Sequence, residues 1–459
     1  MSDAWRDYAD QIERLAVKQG LSYYPTVFER VPDTFMMEIA IYGLPVRMPH
    51  WSFGVRYMHQ LLQHRMGHSR LFEVVFPGNP GRAYLSGGNG LAENLLVVAH
   101  VLGHADFSKN NGLFAASQEQ VGYHIVEQAA AHARRIADAI DEYGQQRVES
   151  LLDAALALEQ HIDTDQPLRR PRYPEFKESK AAPTDEFAKR FAALEGLAKP
   201  SSEAYGKQRQ RMALPPHPEK DLLWFLANYA PELEGWERDV LLAVREESFY
   251  FYPVFACQIM NEGWASYWHA RLLREADFMP SELYVDAIKC HCDVVRPVAS
   301  GEEVALRINP YHLGFSLWES IIEERGLEAA RRIVREDDDF SFLRNHLTME
   351  RAQKLDLFRY ETTTDGRVRV AEPDLAALHD AILGPKYNFG APRVAATAVR
   401  PDGTLEIHHD HAADGRGLDD ERARRVLGYL KRIWRRPIEV HTVDGRMQPL
   451  VLTEEARAA

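Results

Sequence analysis

The sequence predicts a mainly helical protein, α+β overall, with one large helical domain and a small α+β domain behind it. Three observations carry that prediction. Long stretches repeat apolar residues at three- and four-residue intervals, the period of a helix with one buried face. Strand-like runs are few and short, and Pro, Gly, Asn or Asp bounds most of them. After Pro385 the texture changes to short alternating runs around one amphipathic stretch, which divides the chain into domains 1–384 and 385–459.

The elements follow in order. Trp5, Tyr8, Ile12, Leu15 and Ala16 mark one face of a helix over 3–18. Residues 20–50 mix turn residues with short apolar runs and read as irregular. A helix over about 54–66 follows Trp51-Ser52-Phe53-Gly54. Leu71–Phe76 reads as a strand ended by Pro77-Gly78-Asn79-Pro80-Gly81, with Ala83-Tyr84-Leu85 as its hairpin partner. Gly87-Gly88-Asn89-Gly90 lacks the Lys and Ser/Thr of a P-loop and the spacing of a dinucleotide fingerprint, so it reads as a turn. A helix over 91–105 starts after it, and 114–162 is helical with Ala-rich periodicity. From 167 to 220 Pro, Ser, Lys and Glu dominate. That composition predicts a loosely structured excursion, the first internal segment that trypsin should cut. Helices resume at 221–226 and 233–247, then at 250–275 with Pro253 in the first turn or at a kink. Further helices are expected at 281–290, 313–324, 327–335 and 338–344. In the tail, 393–399 and 403–408 form a hairpin around Pro401-Asp402-Gly403, 419–434 is a helix and 438–442 a third strand.

Composition narrows the function. The 459 residues carry 55 Lys and Arg against 68 Asp and Glu, a formal charge of −13. A chain that binds nucleic acid needs clustered positive charge, so that class is excluded for the protein as a whole. The three cysteines, Cys257, Cys290 and Cys292, make no disulfide framework and suit a reducing compartment. The N-terminus is polar and acidic, without the pattern of a signal peptide, and no run of about 18 apolar residues suggests a transmembrane helix. The expectation is a soluble, cytoplasmic protein.

Two apolar stretches carry ionisable residues where a buried helix should have none. In Ala99-His100-Val101-Leu102-Gly103-His104, the histidines are four apart and share one helix face, so both imidazoles can reach one ion. In Met260-Asn261-Glu262-Gly263-Trp264-Ala265, Glu262 is the candidate third ligand from a second helix. Zinc hydrolases often use H-E-x-x-H with a third ligand on a later helix, the Glu being the general base. Asn261–Ala265 resembles the N-E-G-F-A segment that brings the third ligand in aminopeptidase-type zincins. Here Val101 stands where the base should be. Zinc or another divalent metal is therefore expected on His100, His104 and Glu262, with the base drawn from Glu93, Glu246 or Glu247. His269 lies two turns beyond Glu262, too far to share the ion, and is a candidate proton shuttle; Tyr267 and Arg271 are further polar candidates on that helix. Of these, Glu247, His269 and Tyr267 are the catalytic candidates. The competing reading makes His100 and His104 buried residues satisfied by hydrogen bonds.

Three other clusters read as structural. Cys290-His291-Cys292 has poor spacing for zinc, although His291 is free to point to the site, since alternate residues diverge. His408-His409-Asp410-His411 reads as a solvated hairpin end. Asn110-Asn111 either caps or turns the chain, or else holds substrate amides or orients His104.

Four segments together resemble the stage V sporulation protein R (SpoVR-like) family over about 5–450. They are His50-Trp51-Ser52-Phe53-Gly54, Ala99–Phe107 with Lys109-Asn110-Asn111, Met260–His269, and Asn309-Pro310-Tyr311-His312-Leu313-Gly314. Ser108 departs mildly, standing where a second Phe is expected. In spore formers the resemblance implies a part in building the spore cortex, a peptidoglycan layer. In other bacteria it implies a role in stress or stationary-phase physiology. It also implies a functional link to a serine protein kinase and to a second protein encoded nearby. It carries over no particular reaction. The expectation is a metal-dependent, zincin-like hydrolytic site for a peptide- or peptidoglycan-like substrate. The alternative is a non-enzymatic regulator or scaffold that keeps the site frame for structure.

Overall fold

A computed structural model describes residues 4–65, 72–165, 173, 214–295, 308–357, 360–362, 368–370 and 374–454. Most of the 167–220 excursion lies outside the described residues. The chain starts with α1 (Ala4–Lys18), β1 (Thr26–Val31), α2 (Asp33–Tyr42), α3 (Trp51–Arg65), β2 (Glu73–Phe76) and β3 (Gly81–Ser86). Helices α4 (Leu91–Asn110), α5 (Gly112–Val121), α6 (Ile125–Tyr143) and α7 (Gln145–Ala157) follow. Then come α8 (Leu222–Tyr229), α9 (Gly235–Ala256), α10 (Gln258–Arg274), α11 (Ser281–Val294), α12 (Pro310–Arg325), α13 (Leu327–Glu336), α14 (Asp339–His346) and α15 (Met349–Lys354). The hairpin β4 (Tyr360–Thr362) and β5 (Val368–Val370) leads to α16 (Leu375–Leu383). The chain closes with β6 (Val394–Val399), β7 (Leu405–His409), α17 (His411–Asp414), α18 (Asp420–Trp434), β8 (Ile438–Val443) and β9 (Pro449–Glu454). The fold is mainly α with a small α+β C-terminal region, as the sequence predicts. No described helix is long and apolar enough to cross a membrane.

The chain divides into two compact units, 1–160 with 235–391, and 161–234 with 392–459. The first is built around α10, which packs between α4 and α12. Helix α4 is buried on nearly every side, which is why its sequence is apolar almost all round. Glycines let these helices meet backbone to backbone. A Cβ on Gly103 would lie 2.6 Å from the Ala265 Cα. One on Gly263 would overlap the Gly314 backbone, and one on Gly314 the Ile259 carbonyl. Around the crossings, Trp264 packs edge-to-face on Trp318 (5.0 Å, 68°) and on Trp268 (5.8 Å, 74°). Such pairs add about 0.5–1.5 kcal/mol each beyond their burial. The Trp318 indole donates to the Met260 carbonyl (3.0 Å). The Trp264 indole donates to Asp106 (2.9 Å), which also accepts from the Ser22 amide (2.7 Å).

Two local readings are corrected. Residues 26–42 are not irregular: β1 pairs in parallel with β3, and α2 follows at once. The partner of β1 is distant in sequence, and α2 is apolar on most sides, so neither shows a clear period. Pro253 does not open the third helix; it lies in the last turn of α9, and the chain re-starts at α10 after Cys257. Proline removes the N–H that would bond the Phe249 carbonyl four residues back. That carbonyl accepts from the Ser117 hydroxyl instead (2.6 Å). The amides of Ile259 and Met260, orphaned at the start of α10, each donate to a carboxylate oxygen of fully buried Asp339 (2.9 Å both), which Lys386 pairs at 3.1 Å.

In the second unit the sheet order is β6-β7-β8-β9, with β7 and β8 parallel and the other pairs antiparallel. A parallel pair needs a crossover, and α18 is that crossover, its Leu427, Leu430, Ile433 and Trp434 buried. The expected hairpin and third strand are present; β9 was not anticipated, because Pro449-Leu450-Val451-Leu452 is exposed but for Leu452 and partly Leu450.

Candidate metal centre

Helix α4 brings His100 and His104 to one face, and α10 brings Glu262 against both. The three offer donor atoms that all lie within 4.8 Å of one another. His100 Nε2 and His104 Nε2 each stand 3.4 Å from the same oxygen, Glu262 Oε2. A tetrahedral zinc site with bonds near 2 Å places its donors about 3.3 Å apart, so two of the three edges already have the right length. His100 Nε2 and Glu262 Oε2 are shielded from solvent and have no hydrogen-bond partner among the described residues. Buried polar atoms are normally satisfied, and two orphans aimed at one point fit a shared cation.

The remaining ring nitrogens are held from behind. His104 Nδ1 is 2.8 Å from the Asn261 side-chain oxygen, so Nδ1 donates and Nε2 keeps its lone pair. His100 Nδ1 meets His269 Nδ1 at 2.9 Å, and His269 Nε2 meets His291 Nδ1 at 2.5 Å. Three imidazoles thus form a chain from the centre through α10 to α11. Electrostatics agree with a charged carboxylate. Burial would raise the Glu262 carboxyl, but His104 and His100 hold it well below the ordinary carboxylate range. Burial would depress His104, and Glu262 with Asn261 reverses this and raises it. Burial, with His100, His291 and His104 near, holds His269 well below the usual imidazole value, so it is neutral. The same causes, burial first and then Arg274 and His100, bring His291 down to about 4.

Two site residues escaped the sequence reading. Glu73 on β2 stands 4.0 Å from His100 Nε2, and burial raises its carboxyl, Glu262 adding to this against the two histidines. The signal was a lone carboxylate inside a short apolar strand. Tyr311 stacks on His100 (5.9 Å, 25°), and the nearby charge of Glu262, then burial, lifts its phenol far above its ordinary value. It belongs to Asn309–Gly314, where each residue type has a task. Asn309 caps α12 by accepting from the Tyr311 amide (3.0 Å), Pro310 starts the helix and Gly314 permits the contact with Gly263. A cavity of about 340 Å³ opens above His100, lined by Glu73, Glu93, Cys290, Asp293 and Tyr311 among others.

Other candidates fall elsewhere. Glu247 is fully buried beside Arg47 (2.6 Å) and His132 (3.5 Å), and Glu246 is 3.1 Å from His132. This cluster does not include His100, His104 or Glu262; helix α9 presents these carboxylates to α6 and to the segment after α2. Glu93 accepts from the Gly90 amide (2.7 Å) at the start of α4 while lining the cavity. Tyr267 sits in the core against Trp264 and Trp268, its hydroxyl accepting from Arg271 (3.3 Å). Asn111 caps α5, accepting from Leu113 and Phe114 and donating to the carbonyls of Val334 and Asp337. Asn110 donates to Ser22 and Asp106. The asparagine pair is therefore engaged in capping and loop anchoring.

Fold and site together define a mainly helical protein with a buried cluster of two histidines and one glutamate on crossing helices. A family model described as SpoVR like protein matches residues 2–381, and the chain belongs to that family. A curated relative from Escherichia coli (strain K12), called uncharacterized protein YcgB, is 31% identical over 463 residues, covering 93% of this chain and 89% of the relative. No solved structure matches.

Proposed function

We propose that this SpoVR-family chain is a metal-dependent hydrolase of the zincin-like kind, with His100, His104 and Glu262 holding a divalent ion such as zinc. The observation that carries the proposal is the pair of 3.4 Å approaches of two imidazole nitrogens to one orphaned, buried carboxylate oxygen. An ion held there supplies Lewis acidity, polarising a carbonyl and acidifying water. Val101 is fully buried and cannot act as the base. Glu73 takes that role: its raised carboxyl suits proton uptake from water and return to a leaving amine. Tyr311 stacks on His100 beside Glu262 and keeps the imidazole in place. His269 and His291 fix the tautomer of His100. Glu73, Glu93 and Asp293 around the cavity favour a substrate bearing an ammonium group, as peptide stems of peptidoglycan do. A part in spore-cortex or stationary-phase wall chemistry is consistent with that class.

The test loads chelator-stripped protein with zinc, measures bound metal, and assays unstructured peptides and peptidoglycan fragments beside Glu262→Gln and Glu73→Gln. The expected result is turnover confined to peptidoglycan-type fragments. Glu262→Gln should lose metal and activity together; Glu73→Gln should keep metal and lose about 10²–10⁴ in rate. No bound metal and no turnover would leave the family's scaffold reading in its place, which buried Val101 favours.

A further inference from the structure

The two parallel strands of the C-terminal sheet carry the same four-residue pattern: Leu405-Glu406-Ile407-His408 on β7 and Ile438-Glu439-Val440-His441 on β8. Their register pairs Leu405 with Ile438, Glu406 with Glu439, Ile407 with Val440 and His408 with His441. Side chains alternate across a sheet, so the four apolar residues turn to the core and the two Glu and two His form a square on the opposite face. The apolar four are all buried. On the other face the His408 and His441 rings lie 4.5 Å apart at 28°. We propose that this square is a second metal site, in which His408, His441 and Glu406 bind a divalent transition ion such as zinc, nickel or copper.

Three observations support it. Donor atoms of Glu406, His408 and His441 lie within 4.8 Å of one another, close enough for small rotamer changes to bring them round one ion. His441 Nε2 is shielded from solvent and has no hydrogen-bond partner among the described residues, although the ring is partly exposed and Glu439 Oε2 lies 3.7 Å away. The second carboxylate is spoken for: Glu439 is held bidentately by Arg400 (2.8 and 2.6 Å), which also bonds Glu406. Arg400 thereby relieves the repulsion between two adjacent carboxylates and orients Glu406, leaving an imidazole pair with no cation of its own. Neighbouring His409 is engaged otherwise, with Thr442 (2.8 Å) and Asp414 (3.0 Å), so the adjacent histidines in sequence are not the ligands.

The site is independent of the helical centre, and so is its test. Full-length protein without a polyhistidine tag is stripped, equilibrated with copper(II) alone, and its metal content counted. The doubly substituted His408→Gln, His441→Gln protein is treated in parallel. Both positions are on a sheet surface, and an unchanged melting curve in the absence of metal verifies the fold. The proposal expects the double variant to bind one equivalent fewer per chain than the parent, whatever number the parent binds. It also expects the two-nitrogen component of the copper spectrum that does not depend on Glu262 to be lost. Glu262→Gln should keep that component. Equal copper counts in parent and double variant, or a parent with no copper at all, would overturn the proposal.

Discussion

Glu262 keeps its charge where burial alone would neutralise it, because two imidazoles face it from one turn of α4. Removing that charge leaves His100 and His104 with nothing to bind between them, so Glu262→Gln is expected to abolish metal uptake at the helical centre while the protein stays folded. Metal analysis with circular dichroism checks this. His132 offers a cleaner reading of pH. Burial would depress it, but Glu246 and Glu247 reverse this and raise it to about 9, from an ordinary value of 6.5. A histidine raised on folding stabilises the folded state fully below its unfolded value, and that contribution is lost as pH rises through the folded value. Parent protein should therefore exceed His132→Gln in melting temperature most at about pH 6, with the gap narrowing toward about pH 9. Calorimetry at the two ends decides it; a gap that widens with pH would contradict the assignment. At this scale the metal-ligand candidates were legible, because a helix repeats its faces every three to four residues. The role of Glu247 was not, because its partners Arg47 and His132 lie in segments far away in sequence.

The helix crossings depend on what is missing from a side chain. Gly263→Ala puts a methyl into the Gly314 backbone, so α10 and α12 must move apart and carry Glu262 and Tyr311 with them. The expected cost is about 1–3 kcal/mol or more, with weaker metal binding, measured by denaturant unfolding and metal titration. Gly428, in the middle of α18, is the contrast: nothing lies within 4 Å of a Cβ there. Gly428→Ala should stabilise by about 0.5–1 kcal/mol through helix propensity. Asp339→Ala removes the cap of α10 and strands Lys386, an expected loss of roughly 3–5 kcal/mol for a broken buried pair. Element positions were mostly legible, since amphipathic periods and turn residues are local. The break at Cys257 was misplaced because proline is tolerated at a helix start and also forces a break later, and sequence alone does not separate the two.

Each of the two units has its own core, α4–α10–α12 in one and the sheet with α18 in the other. Heat unfolding is accordingly expected to depart from a single two-state transition. Asp339→Ala should lower only the transition of the first unit, and Gly428→Ala should raise only that of the second. Scanning calorimetry of the two variants checks both, and a shift of both transitions by either variant would mean one cooperative body. The tail texture after Pro385 was visible in the sequence. That the second unit also draws in 161–234, through Glu219 bonded to Ala396 on β6 (2.8 Å both ways) and Phe225 stacked on Trp434, was not. Such pairings join segments separated by long stretches of chain.

By itself the sequence determined the helical class, the α+β tail, the family and the three candidate ligands, since local period, turn chemistry and short motifs carry these. Tertiary structure alone decided the rest: that Glu262 meets both histidines, that Glu73 and Tyr311 stand beside His100, that Glu247 serves another cluster, and that two like-patterned strands stack their histidines in register. Those facts depend on glycine crossings and strand pairing between distant segments, and the geometry of such contacts is set only when the whole core packs.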